Sequence, residues 1–124
     1  MAKANGFEDL KIWQLARDLV HVVYLGTSES VFAKDLALRD QMRRAAVSSM
    51  ANIAEGFERG SQRDFMRFLY MARGSAGEVR SHLYVAKDLG YIDPPTFDKI
   101  HQQVIGVSKA IFGFIKHLEA SMEK

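Results

Sequence analysis

Apolar residues recur at three- and four-residue intervals through four long segments, and the alternation expected of strands is absent. In residues 8–25, Ile12, Leu15, Ala16, Leu19, Val22 and Val23 form one stripe, widened by Trp13 and Val20. The spacing predicts a first helix that Gly26, Thr27 and Ser28 end. Residues 26–35 then form the one substantial loop, which Val31 and Phe32 are expected to pin to the core. A second helix is predicted over residues 36–59, with Met42, Ala46, Met50, Ile53 and Phe57 as its core edge. Gly60 stands where a helix end takes a left-handed residue. Ser61 follows as an N-cap, with Asp64 three residues on, in the manner of a capping box. The second and third helices are therefore expected to be antiparallel neighbours joined by a very tight turn.

The third helix is predicted over residues 62–89. Phe65, Ala72, Val79 and Ala86 lie seven apart, and Leu69, Ala76 and Leu83 form the companion set. That is a heptad seam sustained over three heptads. Gly90 caps it, and Asp93 opens the fourth helix with Pro94 at its first position. Over residues 94–122, Phe97, Val104, Ile111 and Leu118 make one heptad line and Ile100, Val107 and Phe114 the other. The pattern predicts an all-α protein, an antiparallel up-down-up-down four-helix bundle. A length of 124 residues suits one core, so residues 1–124 are expected to form a single domain.

Composition narrows the chemistry. The chain has no cysteine, which excludes disulfides, thiolate nucleophiles and sulfur metal ligands. The opening MAKANGFEDLKIW has no apolar signal core, and the greasiest run, LVHVVYL, is too short to span a bilayer. A cytoplasmic chain without a membrane partner is expected. A formal charge of +2 and a pI near 9.0 permit an anionic partner without requiring one.

The second helix carries small and polar residues beside its core stripe: Ala45, Ser48, Ser49, Asn52, Glu55 and Gly56. The third has Gly74, Ser75, Ala76 and Gly77 in mid-helix, and the fourth has Gly106 and Gly113 seven apart. Each interior glycine costs about 1 kcal/mol relative to alanine, so backbones that must approach closely are the natural explanation. That approach can lie within the bundle or between subunits. In the second case Ser48, Asn52, Glu55, Gly56, Gly74 and Gly77 are the candidate assembly contacts, and Asn52 and Glu55 need partners. Ile105, Phe112, Ile115 and Met122 widen the apolar face of the fourth helix, either as further contacts or as a broad core face.

Arginines form the other conspicuous set. Residues 34–73 hold eight basic and five acidic side chains. Arg43, Arg44, Arg59, Arg63, Arg67, Arg73 and Arg80 are the candidate nucleic-acid contacts, with Tyr70 and Tyr84 among them. Guanidinium forks suit phosphates, and tyrosines can stack on bases. The competing reading is a solvated face with ordinary ion pairs such as Asp40 with Arg44. Arg63, Arg67, Arg73, Arg80 and Lys87 are expected to project away from the seam. Di-iron bundles need Glu-x-x-His pairs, and this chain offers only Asp18-x-x-His21 and Asp98-x-x-His101, so no metal site is expected and the histidines should face solvent. No phosphate loop, nucleophile elbow or Ser-His-Asp pattern occurs, and neither a cofactor nor a catalytic residue is expected.

The stretch QMRRAAVSSMANIAEGFERGSQRDFMRFLYMARGSAGEVRSHLYVAKDLGYI resembles the 23S rRNA intervening-sequence proteins. The elements that carry the likeness are Gln41, Arg43 to Ser48, Asn52-Ile53-Ala54-Glu55-Gly56, Phe65, Arg67-Phe68-Leu69, Gly74-Ser75, Glu78 and Leu89-Gly90-Tyr91. LKIWQLARDLV fits the opening of that family. The likeness covers the first three helices well and the fourth by pattern alone. It implies a four-helix-bundle protomer of a homopentamer, acting as a binding protein and not an enzyme. A related branch, the accessory variability determinants of diversity-generating retroelements, binds a reverse transcriptase and nucleic acid through a basic surface. Two readings follow: an oligomer that binds RNA or DNA, or a scaffold for a polymerase or another protein. The family's usual proline and small polar residue before NIAEG are Met50 and Ala51 here, so a proline kink in the second helix is not expected.

Overall fold

The computed structural model describes residues 4–122; residues 1–3 and 123–124 of the expected domain lie outside the described residues. A 3-10 turn, Phe7–Asp9, leads into α1 (Lys11–Gly26), a short α2 (Ser30–Lys34), α3 (Leu36–Glu58), α4 (Gln62–Asp88) and α5 (Pro94–Met122). No strand occurs among the described residues. α3 and α5 each pack against both α1 and α4, so the four long helices close into an all-α bundle with α1 diagonal from α4.

The small residues of α3 explain its closest partnership. α3 buries Met42, Ala45, Ala46, Ser49, Ile53 and Gly56, and α4 buries Ala72, Ala76 and Ala86 among larger side chains. Short side chains on both helices let the backbones approach, and α3 with α4 is the most extensive helix pair. At Gly56 the approach is tightest: an added Cβ would lie 2.6 Å from Phe68 Cβ and 3.0 Å from Phe65 Cδ1. Polar groups line the outer edge of this seam. Ser48 Oγ sits 3.0 Å from Ser75 Oγ, and Asn52 Nδ2 donates to the carbonyl and hydroxyl of Ser48 at 2.9 and 3.1 Å.

The turns follow the punctuation of the chain. Gly60 and Gly90 have φ of 86° and 72°, the left-handed region that only glycine enters freely. Ser61 Oγ accepts from the Asp64 amide at 3.1 Å. Past α4, the Tyr91 amide donates to Ala86 O and the Gly90 amide to Lys87 O, closing the helix end. This turn places the Tyr91 ring 5.3 Å from Phe32 and its hydroxyl 3.0 Å from Asp35 Oδ2. The other Asp35 oxygen accepts from the Leu38 amide, so one carboxylate caps α3 and fastens the end of α4. Asp35 raises the Tyr91 pKa by accepting a hydrogen bond from its hydroxyl. That contribution to stability is complete below the ordinary tyrosine value and is lost as pH rises through the folded one. Asp93 opens α5 by accepting from the Thr96 amide at 2.8 Å. Hydrogen bonds from the side chain and backbone of Thr96 lower its pKa, so this cap is lost as pH falls through the folded value.

Several expectations are revised. α1 begins at Lys11 because Leu10 is extended, and the preceding turn packs Phe7 5.1 Å from Trp13. The loop over residues 26–35 contains α2, which buries Phe32 completely but leaves Val31 59% exposed, so Phe32 alone is the pin. Ile115 is fully buried core and not part of an outer stripe, whereas Phe112 and Met122 are exposed. Met50, Phe57, Phe65 and Phe114 are half-buried. Replacing Gly56 with alanine should lower stability by about 1–3 kcal/mol through overpacking, despite alanine's better helix propensity. Urea unfolding would check this, and an unchanged midpoint would mean that α3 and α4 do not approach so closely.

Candidate functional site

The seven candidate arginines do not form one patch. Arg43 is built into the fold. Its Nε donates to Thr27 Oγ1 at 2.7 Å, and its Nη2 donates to Ser28 Oγ at 3.2 Å and Tyr24 O at 3.5 Å. The guanidinium carbon lies 4.5 Å from the Tyr24 ring centroid. A cation here also faces the negative end of the α1 dipole. Thr27 is fully buried, and its own hydroxyl donates to Val23 O at 2.8 Å. Arg44 is exposed and has no ion pair or hydrogen bond among the described residues. Asp40 pairs with Arg39 at 3.0 Å and not with Arg44 as expected.

Arg59, Arg63 and Arg67 gather at the α3–α4 turn. Arg59 and Arg67 hold their guanidinium carbons 4.9 and 4.8 Å from the ring of Phe68. They also pair with Glu55 at 3.3 Å and Asp64 at 3.6 Å, both exposed pairs of little worth in stability. Arg63 is exposed with no partner among the described residues. Residues 55–67 hold three arginines and three acidic side chains, so this end is locally neutral. Residues 39–44 hold three arginines and one aspartate, which makes the α1–α3 side the more cationic region.

Arg73 departs from the expected outward projection. It is half-buried, with its guanidinium carbon 4.5 Å from the Phe112 ring and a shielded Nε that has no partner among the described residues. Arg80 is exposed and has no partner among the described residues. Lys87 lies 4.6 Å from the Phe97 ring centroid, and His101 stacks on the same ring at 5.3 Å. His101 is thus half-buried in an aromatic contact, not free in solvent. No group of three or more potential metal ligands occurs among the described residues.

The candidate assembly residues also divide. Ser48 and Asn52 serve the α3–α4 seam, Glu55 is exposed beside Arg59, and Gly56 is covered by Phe65 and Phe68. Gly74 and Gly77 are exposed, and an added Cβ at either meets nothing within 4 Å. The same holds for Gly106 and Gly113. Close packing inside the bundle therefore accounts for Gly56 and not for these four. On α4, which carries Gly74 and Gly77, the side chains of Tyr70, Met71 and Val85 are exposed at 47%, 47% and 43%. No described helix is long and apolar enough to cross a membrane.

The hydrogen-bonded Arg43 and the free Arg44 should behave differently when truncated. Arg43→Ala should cost about 1.5–3 kcal/mol, the range for hydrogen bonds to a charged group, whereas Arg44→Ala should stay within about 0.5 kcal/mol. Urea unfolding of the two variants distinguishes them, and equal losses would contradict this division.

Residues 8–113 match the family described as 23S rRNA-intervening sequence protein. Among solved structures, the chain is similar to a protein of unknown function from the S23 ribosomal protein family of Bacteroides thetaiotaomicron. The two are 24% identical, the match covers 85% of this chain and 95% of the other, and the TM-score is 0.77, a likeness of fold. No curated protein matches. With the family match spanning most of the bundle, the chain belongs to the 23S rRNA-intervening sequence protein family.

Proposed function

We propose that this chain is a non-enzymatic, self-associating bundle, assembled as a homopentamer, that binds RNA or DNA through phosphate contacts with little sequence preference. The observation that carries the assembly is the set of four mid-helix glycines, Gly74, Gly77, Gly106 and Gly113, that face open space in the single chain. Together they forgo about 4 kcal/mol of helix propensity relative to alanine. Neighbouring copies whose backbones approach α4 and α5 give those glycines a reason, and the exposed Tyr70, Met71 and Val85 supply apolar area on α4 with Gly74 and Gly77. The pentameric number rests on the family likeness alone. Exposed guanidinium groups at Arg44, Arg59, Arg63, Arg67 and Arg80 support phosphate binding, because each presents a fork of donors. Symmetric repetition of five such sets would multiply a modest charge.

The same exposed apolar side chains on α4 also suit a protein partner, such as a polymerase, and that is the second reading. The two separate by what arginine removal does. Under the first, nucleic-acid affinity falls log-linearly with salt, and replacing Arg63 and Arg67 together with alanine weakens it at every sequence tested. Fluorescence anisotropy over a salt series checks this. Salt-insensitive binding, or none at low salt, would contradict it and favour the protein scaffold. Assembly has its own test. In a chain that stays single, Gly74→Ala and Gly77→Ala should each raise stability by about 1 kcal/mol. Under the assembly proposal both instead lower the unfolding midpoint, and the loss shrinks as protein concentration falls.

A further inference from the structure

A groove of about 460 Å³ runs beside α3, lined by Tyr24, Asp40, Arg43, Arg44, Val47 and Ser48. Its volume suits a small ligand. Its charge is set by two neighbouring arginines and one aspartate, and that aspartate already engages Arg39. Arg43 is held in place by Thr27, Ser28 and Tyr24, so its rotamer freedom is already lost in the fold. Those bonds use Nε and Nη2, and Nη1 has no partner among the described residues. Arg44 adds a second fork with every donor free. The Arg43 guanidinium covers one face of the Tyr24 ring at 4.5 Å, and with Tyr24 41% and Val47 40% exposed the rest of the ring and Val47 give the groove an apolar wall. Preset anion donors next to an accessible aromatic ring match an anion joined to a flat ring.

We infer that this groove is a subsite for one nucleoside phosphate unit. The phosphate lies against Arg44 and Nη1 of Arg43, and an unstacked base lies on Val47 and on the part of the Tyr24 ring that Arg43 leaves open. This rests on the nucleic-acid reading above and makes it specific. A base inside a duplex keeps its faces stacked on its neighbours, so the subsite favours a single strand or a free nucleotide.

The test uses the full chain with labelled ten-nucleotide poly-U RNA, a blunt duplex of the same length, and uridine monophosphate. Anisotropy reads the strands and calorimetry reads the nucleotide. Tyr24→Leu and Arg44→Gln should each weaken single-strand binding by about tenfold, in the range that one lost base stack or one lost phosphate contact produces. Arg44→Gln should also reduce the salt slope by about one, whereas Tyr24→Leu should leave the slope unchanged. The single strand should bind tighter than the duplex. Saturation by uridine monophosphate that Arg44→Gln removes would mark a free nucleotide as the source, and binding of the strand alone would mark a polymer. Wild-type affinity in both variants, or a duplex bound as tightly as the strand, would overturn the subsite. If loss of Arg63 and Arg67 still weakens binding in that case, the wider nucleic-acid reading survives; if no probe binds at low salt, both fail.

Discussion

The close approach of α3 to α4 is the constraint on which the rest of this structure depends. It requires a glycine at position 56, where Phe68 Cβ leaves no room for a side chain, and short residues above and below it. Because those residues bury little apolar area, α3 contributes less hydrophobic stabilisation than its length suggests. Polar groups make up part of the difference along the seam edge, through Ser48, Ser75 and Asn52. The bundle is then fastened at the end where α1, α3 and α4 meet. Asp35 ties the α3 cap to Tyr91, and Arg43 ties α3 to the last turn of α1. Both ties cross long stretches of sequence, so they hold the helices in register.

Much of this was legible before any coordinates. Apart from the half-buried Phe65, the heptad seam of α4 is buried as its spacing predicts, and Gly60, Ser61, Gly90 and Asp93 stand at the turns that they punctuate. Those signals are local: each depends on residues within a few positions. What was not legible is long-range. Arg43 reads as a surface arginine because its partners Thr27 and Ser28 lie sixteen and fifteen residues earlier, in the turn that follows α1. Arg73 reads as exposed because nothing near it in sequence announces Phe112. Phe68 falls outside the heptad seam, yet it is buried by the glycine opposite and covered by Arg59 and Arg67. The four open glycines read the same as Gly56 in the sequence, and only the packing separates one kind from the other.

That separation connects fold to function. A glycine in mid-helix is a cost that a close neighbour must explain, and inside the single chain only Gly56 has such a neighbour among these five. The proposed assembly places further copies against the outer faces of α4 and α5 and leaves the α1–α3 side open, where the chain concentrates arginine over acid. Arg44 would then meet phosphate on that open side, while Arg63, Arg67 and Arg80 share α4 with the association contacts. No titratable group is needed for chemistry in this account. Tyr91 and Asp93, whose pKa values are shifted, owe those shifts to helix-end hydrogen bonds.

Sedimentation equilibrium of the full chain at micromolar concentration tests the central claim most directly. The account predicts a particle about five times the 14.0 kDa chain mass, with dissociation only on dilution. A species of 14.0 kDa at every concentration would contradict it, and the open glycines of α4 and α5 would then lack an explanation.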